Sequence, residues 1–473
     1  MRWEDTHVCV AGAGVSGFAA ADALLRLGAR VTVVDRSDEG ATKERATILE
    51  VLGADVRLGS AAVDVVPSGT DLVVASPGWR PEQPLLVAAG SSGIPIWSEI
   101  ELAWQLRPAE DPAPWLALTG TNGKTTTVEM LASMLVAAGR RAVAAGNVGL
   151  PLVDAVTAET PYDVIAVELS SFQLHRTSSM SPLASAVLNV AEDHVDWHGS
   201  MDSYLRDKGK VYEHTQVACV YNVADSRTEQ LVREADVEEG CRAIGFTLGA
   251  PSVGMLGVVE GVLVDRAFIA DRAKSAAELG TVADVVPQAP HNVANALAAA
   301  ALARAYGVPP AAVRDGLRAF RPGHHRIEEV GFVGGVTYVD DSKATNPHAA
   351  SASLRAFDSV VWIAGGLVKG ATFEDLVPTV RTRLRGVVLL GQDRAVIADA
   401  LARHAPEVPV VEVASTDTGV MKEAVLRAAG LARPGDTVLL APAAASMDLF
   451  RDYAHRGDAF AEAVRSLESG AAR

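Results

Sequence analysis

Residues 115–128 read Trp115-Leu116-Ala117-Leu118-Thr119-Gly120-Thr121-Asn122-Gly123-Lys124-Thr125-Thr126-Thr127-Val128. The apolar run Trp115–Thr119 predicts a buried strand. The glycines at 120 and 123 predict a tight loop, and the residues after Lys124 predict a helix. A strand, a glycine loop and a helix opening on Gly-Lys-Thr make a phosphate cradle. Backbone amides and the lysine hold β- and γ-phosphates, and the threonine hydroxyl binds Mg²⁺. The strict pattern asks for glycine at position 118, where this chain has Leu118. The competing reading is a glycine turn followed by a chance Lys-Thr.

Toward the N-terminus, Gly12-Ala13-Gly14-Val15-Ser16-Gly17 follows a predicted strand at Val8–Ala11 and opens a helix, and Asp35 closes the next strand. That is the dinucleotide fingerprint in spacing and context. Taken alone it predicts a nicotinamide-dependent oxidoreductase. A simple dehydrogenase needs no second phosphate loop, and this chain carries two.

Apolar strands alternate with Ala/Leu-rich helical stretches along the whole chain, the pattern of parallel sheets covered by helices. Further strands are expected at Val31–Asp35, Asp71–Ser76, Val164–Glu168, Ala186–Val190, Val217–Asn222, Val336–Asp340, Val360–Ala364, Val387–Leu390, Val410–Val413 and Thr437–Leu440. The Pro-rich stretch 108–114 and Arg321-Pro322-Gly323 read as links. The expected division is 1–102, 103–322 and 323–473. The fold class is α/β: a Rossmann-like first domain, a central P-loop-type domain with a mostly parallel sheet, and a Rossmann-like C-terminal domain.

In such sheets ligands gather at strand carboxyl ends. Glu168-Leu-Ser-Ser-Phe-Gln-Leu174 and Glu192-Asp193-His194 both follow strands, so Glu168 and His194 can converge on the Lys124 loop as Mg²⁺ ligands. Asn292 and Asn295 lie three apart on one helical face and suit an adenine edge or ribose. In the last block, Asp341-Ser-Lys-Ala-Thr-Asn346, the segment holding Lys369, and Ala441-Pro-Ala-Ala-Ala-Ser446 each follow a strand.

The formal net charge is −16 and the isoelectric point about 5.2, which argues against a nucleic-acid partner. Hydrophobic residues are 49%, ample for large cores. No apolar run is long enough to span a membrane, and the acidic start Met1-Arg-Trp-Glu-Asp5 predicts no signal peptide. Three separated cysteines, Cys9, Cys219 and Cys241, suit a reducing cytoplasm. There are eight lysines against 34 arginines. Lysines 124, 208, 343 and 369 fall in the motif-like segments.

Taken together, Thr119–Thr125, Glu168–Leu174, Glu192–His194, His291-Asn-x-x-Asn295 and Asp341–Asn346 resemble the Mur ligases, the ATP-dependent amide-forming enzymes of peptidoglycan synthesis. The resemblance covers essentially the whole chain. Within the family, Glu-Leu-Ser-Ser-Phe-Gln resembles the branch that adds D-glutamate to UDP-N-acetylmuramoyl-L-alanine.

The resemblance implies roles residue by residue. Val15, Ser16, Asp35, Arg36, Ser76, Pro77 and Gly78 would hold the uridine diphosphate, and Asn147 the UDP-sugar. Gly120, Thr121, Asn122, Gly123, Lys124, Thr125 and Thr126 would bind ATP phosphates, with Asn295, Arg326 and Asp341 completing the ATP site. Thr125, Glu168, His194 and a carbamate on Lys208 would hold Mg²⁺. Lys124, His194 and Lys208 would be the catalytic group. Lys343, Thr345, Lys369, Ser446 and Tyr453 would hold D-glutamate. The family often has Phe where this chain has Tyr453. A monomer acting in the cytoplasm is expected. The rival readings are another amino-acid ligase of the same family, a nicotinamide-dependent oxidoreductase and a non-catalytic nucleotide-binding regulator.

Overall fold

In the computed structural model, which describes residues 2–414 and 419–471, each glycine loop follows a strand buried at every position. The first sheet holds β1 (His7–Ala11), β2 (Arg30–Asp35), β3 (Asp55–Leu58), β4 (Leu72–Ala75) and β5 (Ile96–Ser98). Its order is β3-β2-β1-β4-β5, and every pair is parallel. This is the Rossmann order, reversing direction beside β1, where the Gly12 loop sits.

The second sheet has nine strands: β6 (Trp115–Thr119), β7 (Ala142–Gly146), β8 (Val164–Glu168), β9 (Ala184–Val187), β10 (Ala218–Asn222), β11 (Arg242–Phe246), β12 (Met255–Val259), β13 (Val262–Asp265) and β14 (Ala277–Thr281). The order is β14-β13-β12-β11-β10-β9-β6-β8-β7, with the phosphate-loop strand β6 between β9 and β8. Pairing is parallel from β7 to β12 and antiparallel across β12-β13-β14. The central sheet is thus mostly parallel, as expected, with one antiparallel edge. There a tight turn at Glu260-Gly261 replaces a helical crossover, and only antiparallel strands can be joined that way.

The strand expected at 186–190 stops at Val187. The next residues leave the sheet to bond the phosphate loop: Thr121 N–H donates to Asn189 O at 3.0 Å, and Asn122 N–H to Asn189 Oδ1 at 2.9 Å.

The third sheet contains β15 (Glu328–Val333), β16 (Val336–Asp340), β17 (Val360–Gly365), β18 (Leu384–Leu390), β19 (Val410–Glu412) and β20 (Thr437–Leu440), in the order β15-β16-β20-β17-β18-β19. All neighbours are parallel except β15-β16. The chain divides into two units, Met1–Val285 with Ala294–Phe320, and Val286–Val293 with Arg321–Arg473.

The first two sheets share a unit, and the helix Glu99–Gln105 runs across residue 102. Polar groups stitch the seam between them. Ser98 and Thr177 hydroxyls meet at 2.8 Å, Ser178 N–H donates to Glu101 at 2.8 Å, and Val153 N–H donates to Glu99 Oε1 at 3.0 Å. Glu99 is buried, and its Oε2 has no partner among the described residues. Burial pushes its carboxyl up to about 7, against the hydrogen bond from Val153.

The folded chain thus keeps a proton that the unfolded chain releases above the ordinary glutamate range. Stability falls as pH rises from about 4.5 through 7. Glu99→Gln removes this dependence and should stabilise the protein at pH 8 relative to pH 5, by roughly 3 kcal/mol at most. Thermal unfolding of both proteins at the two pH values checks it. A difference between them that does not change with pH contradicts the assignment.

Candidate active site

The first loop is set by its glycines and by Asp35. Gly12 has φ +112°, and a Cβ there would lie 2.6 Å from Ser76 Oγ. Asp35 spends its carboxylate on the loop itself: Ala13 N–H donates at 2.7 Å and Ser37 N–H at 2.9 Å. The helix Val15–Arg26 begins at Gly14 with no side-chain cap, and a Cβ on Gly14 would meet open space. Its first amides therefore face room for an anion. Val15 is exposed at the opening, and Ser76 Oγ is buried with no partner among the described residues. Arg36 reaches Gln83 Oε1 at 3.4 Å, and Ser76-Pro77-Gly78 forms a turn closed by Trp79 N–H on Ser76 O. Val15, Ser16, Asp35, Arg36 and Ser76–Gly78 all lie at the carboxyl ends of β1, β2 and β4, with Val15 and Ser16 opening the helix and Asp35 closing β2.

The second loop, 120–123, follows β6 and ends at Gly123, whose φ is +82°; a Cβ there would collide with Asn295 Oδ1. This places Asn295 against the phosphate loop. Lys124 Nζ, in the first turn of the helix Lys124–Ala137, donates to Gly120 O at 2.9 Å and Thr121 O at 3.0 Å. Lys208 Nζ donates to the same Gly120 O at 2.9 Å. Lys208 is buried, and burial followed by the neighbouring Lys124 charge pushes its ammonium well below the ordinary lysine range, against Asp193 and Glu168. Lys210, two residues on, donates instead to His175 O at 2.6 Å.

Glu168 ends β8 and is buried. Its Oε1 accepts from Asn147 Nδ2 at 2.8 Å, while Oε2 has no partner among the described residues. Asn147 is thus a partner of Glu168, a contact the sequence does not announce. His194 has φ +53° at the start of the short helix Val195–His198, and its ring lies 4.8 Å from that of Phe172. Among the described residues no three His, Cys, Asp or Glu gather tightly enough to hold a metal alone. Mg²⁺ takes few protein ligands and completes its shell with water and phosphate oxygens. The unpartnered Glu168 oxygen and the Thr125 hydroxyl at the loop are hard donors that fit it.

Sequence reading missed a polar cluster beneath this site. Asp207 Oδ2 accepts from His175 Nδ1 and His198 Nδ1, each at 2.9 Å. Burial alone would raise the Asp207 carboxyl, but the two imidazole hydrogen bonds outweigh it and hold it well below the usual carboxylate range. These partners lie 32 and 9 residues from Asp207, so no local pattern exposes them.

In the second unit, the loops after β16, β17 and β20 meet at one end of the sheet. Leu367 and Ala445 exchange two backbone hydrogen bonds of 2.9 Å, and Ala443 N–H donates to Ala344 O at 2.8 Å. Lys343, Thr345, Lys369 and Ser446 all lie in these adjoining loops. Lys369 has φ +51° and no ion pair among the described residues. Lys343 Nζ sits 3.8 Å from the centre of the Tyr453 ring, a cation–π contact that a Phe would also supply. Asp341 is buried, and burial pushes its carboxyl up to about 6 even with a hydrogen bond from Ser353. Its Oδ1 accepts from Ile327 N–H, next to Arg326. Both neighbours of Arg326 have positive φ, His325 at +63° and Ile327 at +49°.

A second residue the sequence hid is Arg456, fully buried in the helix Tyr453–Ala471. Its guanidinium donates to Ser342 Oγ at 3.0 Å, Ser342 O at 2.9 Å and Ala444 O at 3.0 Å, joining two of the loops. Among so many arginines, nothing in the sequence marks this one.

Three family descriptions match in order: "Mur ligase MurD-like, N-terminal domain" over residues 6–98, "Mur ligase middle domain" over 118–303, and "Mur ligase, glutamate ligase domain" over 325–444. A Streptomyces coelicolor protein named UDP-N-acetylmuramoylalanine–D-glutamate ligase is 64% identical over 463 residues, 98% of each chain. A Thermobifida fusca protein of the same name is 57% identical, over 99% of this chain and all of its own. Among solved structures, the UDP-N-acetylmuramate–alanine ligase of Thermotoga maritima superposes with a TM-score of 0.57 at 20% identity, covering 97% of this chain and 99% of the other. The pseudomurein peptide ligase type C of Methanothermus fervidus gives 0.57 at 17% identity, over 98% of this chain and all of its own, so the two structures share the fold. Three matched domains in order and full-length relatives well above half identical carry one conclusion: this chain belongs to the Mur ligase family.

Proposed function

We propose that this chain is the ATP-dependent ligase that joins D-glutamate to UDP-N-acetylmuramoyl-L-alanine, a cytoplasmic step of peptidoglycan precursor synthesis. The observation that carries the reaction class is the Lys124 loop with Lys208 and Glu168 gathered behind it, in a chain that already has one phosphate loop at β1. Two phosphate loops serve two nucleotides, UDP at the first and ATP at the second. The substrate assignment follows the name shared by full-length relatives up to 64% identical. Residues 1–102 would take the UDP-sugar, 103–322 ATP, and 323–473 the amino acid.

The L-alanine carboxylate attacks the γ-phosphorus of ATP, forming an acyl phosphate and releasing ADP. The D-glutamate amine then attacks the acyl carbon, and phosphate leaves. Anions meet in the first step, so the chain must neutralise charge as it develops. Loop amides and the Lys124 ammonium do this at the phosphates, which would take over the bonds now made to Gly120 O and Thr121 O. Thr125, Glu168, His194 and the carbamate of Lys208 would hold Mg²⁺, which when bound adds further positive charge at the phosphates. Asn147 holds the Glu168 carboxylate in place through Oε1, leaving Oε2 for the ion. Asn295 lines the loop for ATP, with Arg326 and Asp341 as its further partners.

On the acceptor face, Lys343, Thr345, Lys369, Ser446 and Tyr453 would bind D-glutamate. Lys369→Ala should raise the D-glutamate KM by on the order of tenfold or more, the cost of a carboxylate losing a charged partner. The ATP KM should move far less. An unchanged D-glutamate KM places the amino-acid site elsewhere.

The reaction itself is tested by ADP release with ATP, UDP-N-acetylmuramoyl-L-alanine and a panel of amino acids. Turnover with D-glutamate alone is expected. Turnover with L-alanine or a diamino acid instead would assign the chain to another branch of the family. Calorimetry of the first loop discriminates the dehydrogenase reading: UDP should bind and NADH should not.

A further inference from the structure

Four segments carry the candidate catalytic groups of the first unit: the loop of Lys124, the strand end of Glu168, the turn of His194 and the helix of Lys208. Asp207 and its partners touch three of them. Asp207 immediately precedes Lys208 in the helix Met201–Gly209. His198 lies at the end of the turn that His194 begins, and its side chain has no solvent exposure. Its Nδ1 meets the Asp207 carboxylate, which can only accept, so Nδ1 carries the proton. Nε2 lies 2.9 Å from Ser171 Oγ and shares a hydrogen bond with that hydroxyl. Ser171 opens the short helix Ser171–His175, three residues after Glu168.

The turn needs such an anchor. His194 stands at φ +53°, a region non-glycine residues enter at a cost. The backbone N–H groups of Trp197 and His198 both bond His194 O, at 3.0 and 3.1 Å. A fixed His198 therefore fixes the His194 carbonyl. The Phe172 ring fills the space between, stacked on His198 at 5.5 Å and 4.8 Å from both His194 and Trp197. A buried carboxylate and a buried imidazole are costly where apolar side chains would pack, so stability alone does not account for them.

We propose that Asp207, acting through His198 on Ser171, is a positioning residue of the ligase reaction, locking the His194 turn against the strand end that carries Glu168. The inference rests on the ligase reading and adds to it residues outside the nucleotide and amino-acid contacts. His175, the second imidazole on Asp207, is about one-third exposed and packs edge-on against Trp197 at 5.2 Å, but it makes no hydrogen bond to the His194 turn or to the Ser171 hydroxyl, so it stands outside the hydrogen-bonded chain from Asp207 to Ser171.

Steady-state kinetics of the full chain test this. Asp207→Ala and His198→Ala should each lower kcat on the order of 10- to 100-fold, the scale of small misplacements in an active site. The KM values for ATP and D-glutamate should stay within about threefold of wild type. The double variant should be no worse than either single, because both break one chain of contacts. Asp207→Asn, which keeps an acceptor oxygen for the imidazole, should recover much of the loss. His175→Ala should cost about threefold or less.

A kcat for Asp207→Ala within about threefold of wild type, or losses that multiply in the double variant, overturns the proposal. If Asp207→Ala does not fold, Ser171→Ala, which removes only the last hydroxyl of the chain, replaces it. A several-fold fall in kcat at an unchanged melting temperature is then expected, and an unchanged kcat overturns the proposal. Wild-type protein without D-glutamate-dependent turnover would instead remove the ligase reading itself.

Discussion

Lys208→Ala should be nearly inactive, with kcat down on the order of 10³-fold, the scale of losing a main electrostatic group at the reacting centre. Added acetate or another short carboxylic acid should restore part of the activity. The chemistry follows from the site. A lysine amine attacks CO₂ only when it has lost its proton, and burial beside Lys124 favours that neutral form. On carbamylation the neutral amine nitrogen would bond to the CO₂ carbon and release a second proton, so that a cation would become a carbamate anion beside the phosphate loop. An arginine in the same place could not react this way. Lys210 is the natural control. It is tied to His175 O and to Asp207, and Lys210→Ala should be mild. Full activity of Lys208→Ala in CO₂-depleted buffer contradicts the carbamate.

Lys124→Ala should abolish ATP-dependent turnover, by on the order of 10³-fold or more, since on the proposed reading its ammonium would face the phosphates as charge develops between two anions. Binding of the UDP-sugar should persist, because its loop belongs to a different sheet, at the end of β1. Calorimetry with UDP-N-acetylmuramoyl-L-alanine separates the two effects. Turnover at the wild-type rate would take ATP away from this loop.

Much of this architecture can be read from the sequence because the strands that matter are buried on both faces. Trp115–Thr119, Val164–Glu168, Val336–Asp340 and Thr437–Leu440 are mostly apolar, with polar residues chiefly at their ends, and appear at the expected bounds. The far edge of the central sheet is different. Arg242–Phe246 and the edge strand Ala277–Thr281 mix charge, glycine and short apolar pieces, and such interrupted segments carry no continuous signal. At the sites, glycine loops and strand-end carboxylates announce themselves locally. Asp35 shows the limit: its spacing points to a nucleotide, while the structure shows its carboxylate holding the loop amide of Ala13. The Asp207 cluster and Arg456 depend on contacts between distant segments, which periodicity cannot reveal.

The central claim is that the L-alanine carboxylate is activated as an acyl phosphate. Turnover with UDP-N-acetylmuramoyl-L-alanine carrying ¹⁸O in both carboxylate oxygens tests it. When D-glutamate and ATP are supplied, one ¹⁸O should leave in the released phosphate and the other should remain in the new amide carbonyl. Phosphate free of ¹⁸O, or label recovered in AMP, would contradict the mechanism.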